Sequence, residues 1–396
     1  MGSIRRAPRT GRWEARFRDS AGRQHTRTFD TKADARAFVS SAETDVRRGE
    51  WIDPQLGRIG FAEWAAHVDR TRVDRRPTTR ARDTTLMRTR VLPAFGHRSL
   101  ASITSTDIKA WIADLTTAGL APSTVRKCYQ LVSRCLAEAA ESGLIATSPC
   151  RRVTLPTDER TEPVLFMPEQ VEVLSDAIKP RYRVLILVAA YTGLRWGELA
   201  GLRVPRVDFL RRRIDVAEIL TEIDGCLTFS PPKTKRSRAA VSVPGFLLEL
   251  LAIHIAEYPD PDRSRLLVFT SDDATPLRRS NFRQRVWVPA LRDAALPSEA
   301  TFHSLRHATA SWLIDAGANP LEVAEKLRHQ RVTTTLSVYG HLFPGVDARL
   351  DGLLETTHQQ GKTARNASVK TRNASARGAD VVQLTRPGDD SRSSAR

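Results

Sequence analysis

Apolar positions along this chain fall into distinct rhythms, and each predicts a different kind of element. Near the N-terminus Trp13, Ala15 and Phe17 alternate with Glu14, Arg16 and Arg18. That period of two predicts a half-buried strand with an arginine-bearing outer face. Asp19-Ser20-Ala21-Gly22 supplies a turn, and Gln24 to Phe29 can return as a partner strand. Thr31 followed by Asp34 has the pattern of a capping box. Ala35, Phe38, Val39, Ala42 and Val46 then make a helical stripe that could cover the small sheet. From Phe61 the period becomes helical. Phe61, Trp64, Ala65 and Val68 form one stripe; Ile108, Trp111, Ile112 and Leu115 form a second; Val125, Cys128, Leu131, Val132, Cys135 and Leu136 form a third. An arginine-dense helical run, Thr78 to Val91, lies between the first two and is expected to end at Pro93. Together these stripes predict a compact bundle of four or five helices with basic exposed faces.

Pro149 to Pro163 carries mixed charge and no stripe, and it reads as a linker. Pro168-Glu169 opens a helix through Ile178, and a strongly apolar helix runs from Val184 to Tyr191. Ile214 to Ala217, Leu227 to Phe229 and Ala240 to Val243 are strand candidates, with Pro231-Pro232 turning between the last two. Helices return at Phe246 to Ala256, at Asn281 to Ala295 and beyond Thr301. After about Thr357 the periodicity is lost, and Arg365-Asn366-Ala367-Ser368 is echoed at Arg372-Asn373-Ala374-Ser375. A disordered basic tail is expected there. The predicted fold is therefore mainly α and multidomain: a small N-terminal β-sheet plus helix over 1–50, a helical bundle over 58–150, a mixed α+β domain with a small antiparallel sheet over 164–356, and a tail over 357–396.

Charge adds a partner to this outline. The chain of 396 residues has a formal net charge of +17 and a pI near 10.5, a surplus that points to a polyanion, most often nucleic acid. An arginine-faced sheet can enter a DNA major groove, although a solvated edge sheet fits the same pattern. No apolar h-region opens the sequence and no apolar run reaches membrane length, so a cytoplasmic protein without a membrane partner is expected. Cys128, Cys135, Cys150 and Cys226 show neither CxxC nor zinc-ligand spacing and fit reduced thiols. Against that background the Asn-Ala-Ser triplets are accidental matches to a glycosylation acceptor.

Chemistry concentrates between Thr301 and His341. His303, Arg306 and His307 stand at i, i+3 and i+4, which places them on one helical face, with Leu305, Ala308 and Trp312 facing a core. Gly317 and Pro320 precede a second helical run, Leu321 to Leu327, that ends near His329. Thr333-Thr334-Thr335 can open a third, carrying Tyr339. His307 reads as a packed helix residue. Upstream, Gly193 can end the apolar helix and present Arg195, which Glu198 can hold at i+3. Lys233 lies on a basic turn with Lys235, Arg236 and Arg238, which suit phosphate contacts. Taken singly, Arg195 with Glu198 is an ordinary ion pair and Lys233 a solvated turn residue.

The series Arg195, Lys233, His303-x-x-Arg306, His329 and Tyr339, in that order, resembles the tyrosine recombinases, the phage integrase family. The likeness is close over the second half and looser over the two upstream segments, which correspond to an arm-type DNA-binding domain and a core-binding domain. Arg328 departs from the pattern, since the family usually has glycine before that histidine, and Ser304 fills a variable position. The resemblance implies a site-specific DNA recombinase in which Tyr339 attacks a phosphodiester while Arg195, Arg306 and His329 bind the phosphate. His303 would assist proton transfer around Tyr339 and Lys233 would protonate the departing 5′ oxygen. It implies no cofactor or metal, double-stranded DNA attachment sites as partners, and a homotetramer on DNA in the nucleoid. An excisionase or a host DNA-bending protein would be accessory partners. DNA contacts are expected from Arg5, Arg6, Arg16, Arg18, Lys235, Arg236 and Arg238. A type IB topoisomerase-like strand transferase and a non-catalytic DNA-binding regulator are the alternatives.

Overall fold

The alternation around Phe17 produces the middle strand of a three-stranded antiparallel sheet, Ser3–Arg6, Trp13–Arg18 and Gln24–Phe29. Its register pairs Ile4 with Ala15 and Ala15 with Arg27. The first of these strands was not expected, because Ser-Ile-Arg-Arg is too short to display alternation. Ala15 and Phe17 are buried, and the helix Lys32–Arg48 covers them with Ala35, Val39 and Ala42. Thr31 caps that helix by accepting from the Asp34 backbone N–H at 3.1 Å. These elements come from a computed structural model. It describes all residues except 1, 9, 50, 54, 74, 158–161, 233–235, 344–345 and 381–396, and leaves aside the side chains of 237, 346–350 and 369–380 as well.

The chain divides into two compact units, Met1–Glu162 with Thr221–Thr228, and Pro163–Leu220 with Phe229–Arg396. In the first unit the three predicted stripes meet in one core that contains Phe61, Trp64, Ile108, Trp111, Val125, Cys128 and Leu136. Trp64 Nε1 donates to the Cys135 carbonyl at 2.8 Å, which satisfies the polar end of a buried indole. Pro93 does not end its helix. The helix Pro77–Leu86 passes through a π-turn at Met87–Val91 into Leu92–Phe95. A proline ring collides with the carbonyl four residues earlier in a regular helix, and the wider turn makes room for it. The second unit repeats the device: the π-turn Arg283–Trp287 precedes Pro289 in the helix Val288–Asp293.

The second unit is built around the helix Pro180–Thr192, buried on all sides from Val184 to Ala190, as expected for a segment with no polar face. Thr309 Oγ1 on the helix Phe302–Asp315 donates to the Ala190 carbonyl at 2.6 Å and locks the two together. Val207–Asp208, Arg213–Ile214 and Val241–Ser242 form a small antiparallel sheet, and Ile219–Ile223 with Cys226–Ser230 form a separate hairpin. The strand expected at Ile214 to Ala217 therefore stops at Ile214. The tail also departs from expectation: a helix, Val346–Asp380, covers much of the stretch expected to be disordered. Its alanine, arginine, lysine and glutamine residues are good helix formers, and residues 351–368 are exposed throughout. Among the described residues no helix is long and apolar enough to cross a membrane.

Candidate active site

Gly193 ends the Pro180–Thr192 helix in the left-handed region, with φ +66. Only glycine suits the position, because a Cβ would also come within 2.6 Å of the Leu327 side chain. The turn delivers Arg195 to the start of the short helix Trp196–Ala200. Glu198 accepts from the Arg195 backbone N–H at 2.8 Å and from its Nη1 at 3.0 Å. The same carboxylate takes Nη2 of Arg328 at 2.5 Å. The side chains of Glu198 and Arg328 are only 3% and 4% exposed, whereas that of Arg195 is 38% exposed. One buried carboxylate thus holds two guanidinia and leaves one of them facing outward.

Arg328 sits at φ +54, so it keeps the left-handed turn for which glycine is suited. The departure from the family pattern leaves the turn intact and sends a cation inward onto Glu198. Glu198→Ala is expected to cost about 3–5 kcal/mol, because it strips a buried guanidinium of its counter-charge. Urea denaturation of the full chain measures this, and wild-type stability in the variant would refute the clamp.

The helix Phe302–Asp315 contributes the rest. Ser304 Oγ accepts from the Thr301 backbone N–H at 3.1 Å and fixes the helix start. Leu305 and Ala308 are buried on the core side, while Trp312 is half-buried and donates to the Phe166 carbonyl at 2.9 Å. Arg306 is 3% exposed and donates to two backbone carbonyls, those of Gly193 and Leu327. It ties the Arg195 turn to the Arg328-His329 turn. His329, also buried, is held at Nδ1 by Thr335 Oγ1 at 2.9 Å. Tyr339 closes the helix Val332–Tyr339 and is 2% exposed, packed with Ala310, Ile314, Val323 and Leu327. Its hydroxyl lies 2.7 Å from Nδ1 of His307. His307, read as a packed helix residue, thus also has a hydrogen-bond partner in Tyr339. His303, expected at Tyr339, instead sets its ring edge-on to His307, with centroids 4.8 Å apart.

Burial pushes the Tyr339 phenol up to about 12, against the pull of Arg306. Burial also lowers Arg306, with repulsion from Arg195 next and Glu198 opposing it; a guanidinium stays protonated at neutral pH regardless. Burial and the neighbouring Arg306 lower His307, and burial followed by Arg306 and Arg195 takes His329 down to about 4. His303 is lowered by the protein packed around it and then by His307 and Arg306, although part of its surface is exposed. At neutral pH the imidazoles are thus uncharged and the positive charge is carried by guanidinia.

Residues 1–48 match the phage integrase N-terminal domain, residues 62–116 the phage integrase N-terminal SAM-like domain, and residues 165–345 the phage integrase family. The chain belongs to the phage integrase family, the tyrosine-type site-specific recombinases. Among its relatives, the integrase of Mycobacterium phage L5 is 25% identical over 378 residues, 90% of this chain and 97% of that one. The solved Tn1549 transposon integrase in complex with transposon right end DNA has a TM-score of 0.65 at 21% identity, covering 75% of this chain and 99% of that chain. A lambda integrase tetramer bound to a Holliday junction has a TM-score of 0.53 at 16% identity, covering 82% and 92%. At those identities the two structures speak for the fold.

Of the six residues expected at this integrase's site, Arg195 shares Glu198 with Arg328, the neighbour of His329; Arg306 bonds the carbonyls of Gly193 and Leu327; and Tyr339 reaches His307, whose ring meets that of His303. Lys233 and Lys235 lie outside the described residues. Arg236 and Arg238 are exposed on a short turn. On the N-terminal sheet Arg5 and Arg16 both pair with Glu14, at 2.8 and 2.9 Å, while Arg6 and Arg18 donate to the carbonyls of Gly11 and Gly22, each at 3.0 Å.

Proposed function

We propose that this integrase cuts and rejoins double-stranded DNA at specific attachment sites through a 3′-phosphotyrosine link at Tyr339, integrating or excising a phage or another mobile element. The observation that carries the reading is the position of the Tyr339 hydroxyl: it rests on the residue next to Arg306, whose guanidinium ties together the turns bearing Arg195 and His329. A phosphate drawn to these guanidinia would meet a phenol already delivered from the same chain.

In the proposed reaction Arg195 and Arg306 bind the non-bridging oxygens, for which a planar fork of N–H donors is suited. His329 adds a hydrogen bond, and His303, in edge contact with the His307 ring, supports proton transfer around Tyr339 from there. The phenol oxygen forms a bond to phosphorus as the bond to the 5′ oxygen breaks, and Lys233 gives the departing oxygen its proton. The energy of the broken linkage is kept in the tyrosyl phosphodiester, and a 5′ hydroxyl from a partner strand reverses the step to seal a new junction. Residues 1–50 would bind arm-type DNA and 58–150 core DNA, around a catalytic domain over 164–356. Arg5, Arg6, Arg16, Arg18, Lys235, Arg236 and Arg238 would add phosphate contacts. A homotetramer in the nucleoid is proposed by analogy with the lambda assembly, with an excisionase or host DNA-bending protein as accessory partners.

A nicked suicide duplex that loses its 5′ hydroxyl on cleavage tests the reading. It should trap one DNA-linked peptide, containing Tyr339, and intact sites should yield joined products from two duplexes. Linkage at another residue, or relaxation of one duplex without joining, would overturn it.

A further inference from the structure

We propose that His307 is a catalytic residue of this integrase, the base that takes the Tyr339 proton as the phenol attacks phosphorus. The inference rests on Tyr339 being the nucleophile and assigns the group that activates it. Three observations meet here. Nδ1 of His307 is 2.7 Å from the Tyr339 hydroxyl, which is hydrogen-bonding distance and the reach a general base needs. The phenol is 2% exposed, so bulk water is poorly placed to accept its proton. His303 and His329, the other imidazoles of the site, make their contacts elsewhere, one with the His307 ring and the other with Thr335.

The state of the ring fits the task. Burial and then Arg306 keep His307 below its ordinary value, hence neutral near pH 7. With its proton on Nε2, it presents a lone pair at Nδ1 to the phenol O–H. In the resting site the proton stays on tyrosine, whose pKa burial has raised. A scissile phosphate changes the balance by bringing negative charge against Arg306, which otherwise disfavours an imidazolium at His307. As the oxygen–phosphorus bond forms, the phenol becomes acidic. Its O–H bond breaks towards Nδ1, the oxygen pair bonds phosphorus, and the 5′ oxygen leaves with its own proton from the acid opposite. When a 5′ hydroxyl attacks in the rejoining step, the His307 imidazolium returns the proton to the departing phenolate, and the ring is neutral again.

His307→Asn tests this, because its amide oxygen can occupy the Nδ1 position and accept the bond but cannot carry the proton away. On the suicide duplex the full-length variant is expected to form the Tyr339 adduct about 100-fold more slowly than wild type, with DNA binding and melting temperature unchanged. Replacing Tyr339 by a fluorinated tyrosine, whose phenol is more acidic, should recover most of that loss. If His307→Asn fails to melt cooperatively, His307→Gly supplemented with free imidazole takes its place and should show rescue. Adduct formation by His307→Asn at the wild-type rate would reduce the residue to a positioning role. A faster rate would make it a latch, and the absence of both fluorotyrosine recovery and imidazole rescue would remove the base; each overturns the inference. No Tyr339 adduct from wild type would instead overturn the nucleophile assignment beneath it.

Discussion

Tyr339→Phe is expected to yield no covalent DNA adduct at all, while the protein folds and binds DNA as wild type does. The two halves of this expectation have separate causes. The ring keeps its place, since Ala310, Ile314, Val323 and Leu327 enclose its carbon face and phenylalanine offers the same surface. Only the hydrogen bond to His307 is lost, a difference of about 1 kcal/mol in stability. Chemistry is another matter, because without an oxygen no bond to phosphorus can form. No other tyrosine can substitute. In the same unit, Tyr182 is buried against Phe282, Tyr191 packs between Phe246 and Trp312, and Tyr258 stacks on Arg181. Tyr129 lies in the other unit and donates to the Cys150 carbonyl at 2.9 Å. Gel separation of protein–DNA adducts beside a filter-binding isotherm reads both halves. Residual adduct in the variant would show that a different residue is the nucleophile.

Much of this architecture was legible because burial imposes a period on sequence. The stripes from Phe61 to Leu136 became one core, and the alternation at Trp13 to Arg18 became a sheet strand with Ala15 and Phe17 turned inward. Glycine also announced itself: Gly193 was read as able to end a helix, and it does so where a side chain would strike Leu327. What could not be read was contact between residues distant in sequence. Glu198 was visible as the i+3 partner of Arg195, but its hold on Arg328 depends on how the Leu327 turn packs against the Gly193 turn. His307 looked like packing for the same reason. Nothing in its helix reveals that the Tyr339 hydroxyl arrives at its Nδ1 from a later helix. The π-turn before Pro93 was missed because that proline was read as a stop, whereas a locally widened helix can carry it onward; the helix expected from Asn281 to Ala295 does run through Pro289, by the same widening.

Arg306→Ala should weaken both the fold and the chemistry, because the side chain has two jobs. Two of its five N–H groups are spent on the carbonyls of Gly193 and Leu327, the last residues before the turns that carry Arg195 and Arg328-His329. Removing it leaves two buried acceptors unsatisfied, at about 1–3 kcal/mol each, and frees both turns to drift from the phosphate. Losing one preorganised donor of this kind typically costs about 10²–10³ in rate. Since Arg195 and His329 lose their registration too, adduct formation should fall by about 10³-fold or more. DNA affinity should change far less, because many phosphate contacts share it and one cation lowers the salt dependence by about one unit. Arg306→Lys separates the two jobs. Lysine keeps the charge but cannot span both carbonyls with a planar fork, so binding should persist while adduct formation stays strongly impaired. Wild-type adduct rates in the lysine variant would mean that charge alone is required and that the tie between the two turns contributes nothing. A loss of DNA affinity in the alanine variant as large as its loss of adduct formation would show that Arg306 serves binding rather than the chemical step.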